Sequence, residues 1–183
     1  MIKEESAKIG LVLVILTEIM FFAGLLSSYW ILRESVHPWP PVGQPRLPVG
    51  TTAVNTALFL ASLWTMNIAV RSFREAGIKK VSTFLGITAL LGIAFLGLQG
   101  FEWVRLIQFG LTTARNVYGG TFYMIVGMHG LHVVVALLLL FFVLWRLRRI
   151  ERGNAGTLLA LCRIYWFFVV LLWPVIYVAL YLI

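Results

Sequence analysis

Four ionisable side chains stand inside long apolar runs, where a charged group is costly and therefore a candidate for function. They are Glu18, Glu102, His129 and His132. Glu18 lies near the middle of its run, so we expect its carboxyl group to be protonated or hydrogen-bonded. The sequence leaves two roles open for it. It is either a hydrogen-bonded carboxyl of the protein core or a carboxyl that relays protons or borders a cleft.

Glu102 and the two histidines come from successive apolar runs joined by a short connection, so we predict that they lie at similar depth. A hydrogen bond between Glu102 and His129 or His132 would pair these buried groups economically. Gln99 precedes Glu102 by one helical turn and could join them. His129 and His132 are three residues apart, which predicts that they share one face of a helix.

Two histidines and a carboxylate are also a known set of metal ligands. A small membrane metalloprotein that uses His129, His132 and Glu102 is therefore a second hypothesis. Its signal is weak, because the remaining histidine, His37, lies outside the apolar runs. The sequence contains no Ser/His/Asp set, phosphate-binding loop or HExxH motif. We expect no catalytic residue, metal or cofactor in this chain. A transporter, the third hypothesis, would call for internal repeats, and we find none.

The composition indicates the medium in which these groups lie. The chain has 183 residues, of which 61% are hydrophobic and 12% are charged, unlike an ordinary soluble domain. Its apolar stretches are long and continuous rather than short and alternating, which favours membrane-spanning helices over a barrel. The predicted fold is an all-α membrane protein, with residues 1–183 in a single membrane domain.

Five apolar runs predict five transmembrane helices, because each run can cross about 30 Å of hydrocarbon. The runs cover residues 9–32, 51–70, 83–109, 121–145 and 158–182. Residues 33–50 contain five prolines, which exclude a continuous helix there. The later connections are short, so consecutive helices are expected to pack as antiparallel neighbours.

The basic residues are divided unequally between the two sides of the predicted bundle. Eleven of the 15 fall on the side of the N-terminus: Lys3, Lys8, Arg71, Arg74, Lys79, Lys80, Arg146, Arg148, Arg149, Arg152 and Arg163. The other four are Arg33, Arg46, Arg105 and Arg115. The positive-inside rule predicts a cytoplasmic N-terminus and a C-terminus outside. We expect the chain to be a multi-pass protein of a bacterial or archaeal cell membrane. Topology and anionic lipid account for the net charge of +8, so no nucleic-acid partner is expected.

Five motifs follow one another along nearly the whole chain. They are Thr-Glu-Ile-Met-Phe-Phe-Ala-Gly-Leu at 17–25 with Ser28-Tyr29-Trp30; Trp39-Pro40-Pro41; Asn55-Thr56 with Leu58 and Ser62; Gln99 with Glu102-Trp103; and Gly-Met-His-Gly-Leu-His-Val at 127–133. In order and spacing they resemble the third subunit of haem–copper oxidases, the cytochrome c oxidase subunit III family. The length resembles the short form of that family, which has five helices.

The resemblance implies a non-catalytic accessory subunit of a respiratory terminal oxidase. Such a subunit packs beside the catalytic subunit I and subunit II, which are expected to carry the haem and copper. The resemblance further implies phospholipids in a cleft between helices 1–2 and helices 3–5, and support for proton uptake, oxygen access and lasting activity. Glu18 matches the family's buried glutamate at the cleft. Glu102, His129 and His132 match its other intramembrane polar positions.

One stretch departs from the family pattern. The family usually shows Tyr-Trp-His-Phe-Val-Asp near its end, whereas residues 165–170 read Tyr-Trp-Phe-Phe-Val-Val. Phe167 and Val170 thus replace a histidine and an aspartate. This departure leaves a quinol oxidase or a nitric oxide reductase open as the partner enzyme, as well as membership of a respiratory supercomplex.

Overall fold

The protein is described by a computed structural model over residues 2–75, 77–114, 116–147 and 152–183. These residues form five α-helices: α1 (Ile2–Ser35), α2 (Val49–Glu75), α3 (Ile78–Gln108), α4 (Val117–Leu147) and α5 (Arg152–Tyr177), the last continued by a π-helical turn (Val178–Leu182). All five contain a stretch long and apolar enough to cross a membrane. The predicted all-α protein with five membrane-spanning helices is confirmed.

The helices extend beyond the apolar runs that predicted them. α3 and α4 have 31 residues each, so they are roughly 46 Å long at the helical rise and exceed the hydrocarbon thickness. Hydropathy marks the part of a helix within lipid, whereas the backbone continues into the interface. The proline-rich connection, residues 36–48, contains no helix. Arg115, Arg148 and Arg149, which the orientation argument uses, lie outside the described residues.

The neighbours of α1 differ from those predicted. α1 makes its main contacts with α4 and α5, whereas α2 packs closely along α3 and also against α5. The predicted cleft between helices 1–2 and helices 3–5 is therefore wrong, because helices 1 and 2 do not form a pair. The connection at 36–48 is long enough to carry the chain from α1 at the edge to α2 in the main bundle.

Large aromatic side chains fill the centre of the main bundle. Phe59 and Phe95 stack with their ring centroids 4.1 Å apart, and Trp166 is fully buried beside them. Trp166 enters the core because Gly92 carries no side chain: a Cβ atom there would lie 2.7 Å from the indole ring. An aromatic cluster such as residues 165–168 is typical of a membrane interface, but Trp166 is part of the buried core.

Candidate functional site

Glu18 on α1 and His132 on α4 form a hydrogen-bonded pair within the apolar part of the bundle. The His132 Nε2 atom lies 2.8 Å from the Glu18 Oε2 atom. The Phe22 ring packs edge-on against the imidazole at a centroid distance of 5.2 Å. The His132 side chain is nearly buried, whereas the Glu18 side chain is 29% exposed. Glu18 therefore borders the outside of the bundle rather than its core.

The hydrogen bonds of His132 determine how many protons this pair holds. The Nδ1 atom lies 2.6 Å from the carbonyl oxygen of Met128, which can only accept, so Nδ1 carries a hydrogen atom. One further proton then lies between Nε2 and the Glu18 carboxyl. Either the protonated carboxyl donates to a neutral imidazole, or the imidazolium donates to a carboxylate. The pair has no net charge in either form, which limits the cost of holding it in lipid.

The predicted hydrogen bond between Glu102 and the histidines is wrong. Glu102 accepts hydrogen bonds from the hydroxyl groups of Thr51 and Thr52 on α2, the latter over 2.8 Å. Although α3 and α4 are neighbours, the Glu102 side chain faces α2, with which α3 packs most closely. His132 turns instead toward α1. A face shared by residues on one helix does not determine which neighbouring helix that face meets.

Gln99 does not join Glu102 and the histidines, and its side chain bonds to another set of residues. Its side-chain NH₂ group donates to the Tyr181 hydroxyl over 3.3 Å, and its amide oxygen lies 3.5 Å from the Asn55 amide nitrogen. Asn55 also donates to the carbonyl oxygen of Phe95 over 3.2 Å. Sequence reasoning did not assign roles to Thr52, Asn55 or Tyr181. The sequence did contain a signal for Thr52 and Asn55, because these two residues and Thr56 are spaced along one face of an apolar helix.

His129 is fully buried against aromatic rings. Its imidazole stacks on Trp173 at a centroid distance of 5.0 Å, and the rings of Phe59 and Phe95 meet it edge-on. Neither ring nitrogen has a hydrogen-bond partner among the described residues. His129 and His132 thus point to different surroundings, and the proposed set of His129, His132 and Glu102 is not brought together. Within the described ranges, no three His, Cys, Asp or Glu side chains lie close enough to form a metal-binding group.

Comparison with known proteins identifies the family of this chain. The family model described as cytochrome c oxidase subunit III matches residues 1–183. The chain belongs to the cytochrome c oxidase subunit III family. Its predicted resemblance to that family is thereby confirmed, and a role as subunit III implies association with other oxidase subunits.

Relatives of this subunit III occur in bacteria and animals. Cytochrome c oxidase subunit 3 of Synechocystis sp. is 36% identical over 178 residues, which cover 94% of this chain and 74% of the relative. The protein of the same name from Thermostichus vulcanus is 33% identical and is matched over 95% of this chain and 86% of its own length. That from Oryctolagus cuniculus is 33% identical over 98% of this chain and 70% of its own length.

We predict that Glu18 and His132 are energetically coupled in subunit III. Glu18→Leu and His132→Leu should each destabilise the protein, and the double variant should lose less than the sum of the two. The coupling energy expected for a hydrogen bond of this kind at membrane depth is about 1–2 kcal/mol. Unfolding of the purified protein in mild detergent measures it.

Glu18→Gln serves as the matched control, because its NH₂ group can still donate to Nε2 and should retain most of the stability. Additive losses in the two leucine variants would mean that the contact contributes nothing.

Proposed function

We propose that this subunit III is a non-catalytic accessory subunit of a respiratory haem–copper terminal oxidase. It would stabilise the catalytic subunit I and associate with subunit II, and the haem and copper would be held by those partners. The Glu18–His132 pair carries the proposal. These two groups satisfy one another's hydrogen bonds and tie α1 to α4, so their evident contribution is to hold a helix at the edge of the bundle.

Lipid would occupy the groove between α1 and α4 rather than the cleft first predicted. This groove has a volume of about 570 Å³ and a mainly apolar lining. Leu25 and Ser28 line it from α1, and Gly120 and Met124 line it from α4. α1 also presents apolar side chains outward, with Met20 75% and Ile31 69% exposed. A lipid chain in the groove would cover part of this apolar surface and fix α1 against α4.

We place a supporting role in proton uptake and oxygen access at the same edge of the bundle, where α1 lies. The Glu18–His132 pair holds one exchangeable proton next to lipid, so it could contribute to a path that supplies protons to a partner. Apolar side chains beside it would let oxygen, which is itself apolar, approach from the membrane. Both roles rest on the partner subunit lying against α1.

The partner enzyme is proposed to be a cytochrome c oxidase, with a quinol oxidase or a nitric oxide reductase as the alternative. The alternative arises from the departure at residues 165–170. Val170 is fully buried in the apolar core, and Arg163 lies over the Phe167 ring at 5.2 Å. Any contact that the family's aspartate and histidine make is therefore absent from these two positions.

Purification through a tag on this chain tests the assignment of the partner. In mild detergent we expect a complex that carries haem and copper, with neither bound to this chain after the subunits are separated. The visible spectrum and the metal content of each fraction provide the measurement. Haem iron without copper would indicate a nitric oxide reductase. A chain that purifies alone with stoichiometric metal would contradict the proposal.

A second experiment tests the supporting role. Glu18→Ala removes the partner of His132, so α1 should loosen and the oxidase should inactivate about two- to fivefold faster during turnover, with its initial rate little changed. Oxygen consumption followed over repeated turnovers measures both quantities. Met20→Ala is the matched control, because it shortens an exposed side chain of the same helix. An unchanged working lifetime in Glu18→Ala would refute the role.

Orientation forms part of the proposal. The surplus of basic residues at the N-terminal side favours a cytoplasmic N-terminus and an external C-terminus. A periplasmic reporter enzyme fused after Ile183 should be active, and the same reporter fused after Lys80 should be inactive. The reverse pattern would invert the proposed topology.

A further inference from the structure

A groove between α3 and α4 is lined by two polar side chains, His129 and Trp103, whose ring nitrogens have no partner among the described residues. It has a volume of about 430 Å³, within the usual range of small-molecule sites. Leu131 and Val134 lie along it and are 53% and 41% exposed, so it opens toward the outside of the bundle. The polar side chains in its wall are Gln99, Trp103 and His129.

His129 is the first of the unpaired groups. It is 1% exposed, and neither of its ring nitrogens has a partner among the described residues. A neutral imidazole carries one donor and one acceptor, and the neutral form is favoured here because aromatic rings surround it. Burying both nitrogens without partners is costly. A bound hydroxyl group that donates to the unprotonated ring nitrogen would remove part of that cost.

Trp103 supplies the second unpaired group. Its Nε1 atom is buried and has no partner in the described part of the chain. The indole ring lies near Gly127 and Gly130: a Cβ atom at these positions would be 3.9 and 3.7 Å from its outer edge. The two glycines therefore let the edge of the indole ring lie close to α4 in the wall of the groove. The indole N–H can only donate, so it requires an acceptor in the groove.

These features define the chemistry of the ligand. None of the residues that line the groove is Asp, Glu, Lys or Arg, so an ionised headgroup would remain uncompensated at membrane depth. A hydroxyl group is neutral and both donates and accepts. The partly exposed Trp103 ring adds an aromatic wall, against which a ring packs favourably.

We propose that the groove between α3 and α4 binds a lipid-soluble phenol, whose hydroxyl group donates a hydrogen bond to one ring nitrogen of His129 and accepts one from the indole N–H of Trp103. His129 lies twelve residues into α4, which is roughly 18 Å from the helix start, so the ligand reaches the site from the lipid phase. The site is separate from the Glu18–His132 pair and does not depend on the proposed accessory role.

Photolabelling in native membranes that contain the intact complex tests the site. The probe is a 4-alkylphenol whose six-carbon tail carries a diazirine, and mass spectrometry locates the label. We expect labelled peptides from residues 96–103 and 127–134. Excess 4-hexylphenol should reduce the label by at least about fivefold, whereas hexylbenzene, which lacks the hydroxyl group, should reduce it by less than about twofold.

Four variants connect the label to the groove. Gly130→Leu fills the groove and should abolish labelling, whereas Gly97→Leu adds the same side chain to α3 where a Cβ atom meets nothing within 4 Å. Trp103→Phe removes the indole N–H and should weaken labelling by about three- to tenfold. His129→Phe should also weaken labelling while the yield of complex is kept, because the nitrogens it removes have no protein partner.

Three results would overturn the proposal. Equal protection by hexylbenzene and 4-hexylphenol would mean that the groove is merely apolar. Unchanged labelling in Gly130→Leu would place the label elsewhere. Absence of label in native membranes would mean that a neighbouring subunit covers the groove or that water alone pairs with His129.

Discussion

Lipid offers no hydrogen-bond partner to a hydroxyl, amide or carboxyl group at membrane depth, and the packing of this bundle follows that constraint. The interface of α2 with α3 and α5 contains polar side chains that satisfy one another across helices. Trp173 donates to Thr56 over 2.8 Å, Trp166 donates to Ser62 over 3.0 Å, and the hydroxyl groups of Thr65 and Thr88 lie 2.7 Å apart. These pairs are directional, so they fix which faces of the helices meet.

α1 is held differently from the other four helices. Its apolar side chains are mostly exposed, and its main neighbours are α4 and α5. The Glu18–His132 pair is its polar contact near the middle of the span, and at one end Trp39 donates to Tyr29 over 3.3 Å and packs against Tyr118. A helix whose apolar side chains are mostly exposed depends on what surrounds it, which explains why lipid and a partner subunit enter the proposed function at this edge.

The two buried histidines show how one motif can serve two purposes. His132 has both ring nitrogens paired, through Met128 and Glu18. His129, one turn earlier, has neither nitrogen paired and is enclosed by aromatic rings. The first arrangement is complete within the chain and contributes to stability. The second is incomplete, which is the physical reason to look for a ligand at the groove between α3 and α4.

The sequence by itself determined the five spans, the existence of a proline-rich connection without a helix between the first two of them, and the membership of the family. These follow from local properties: the length of an apolar run, the restricted backbone of proline and the order of short motifs. The sequence also singled out Glu18, Gln99, Glu102, His129 and His132 as intramembrane polar groups. Only the tertiary structure decided their partners: Glu102 bonds to threonines of α2, and His132 bonds to Glu18 of α1. A hydrogen bond between helices depends on which faces of the packed helices meet. Hydropathy and spacing along one helix do not say which neighbouring helix a polar face meets: α3 and α4 are neighbours, as their short connection predicts, yet Glu102 faces α2 and His132 faces α1.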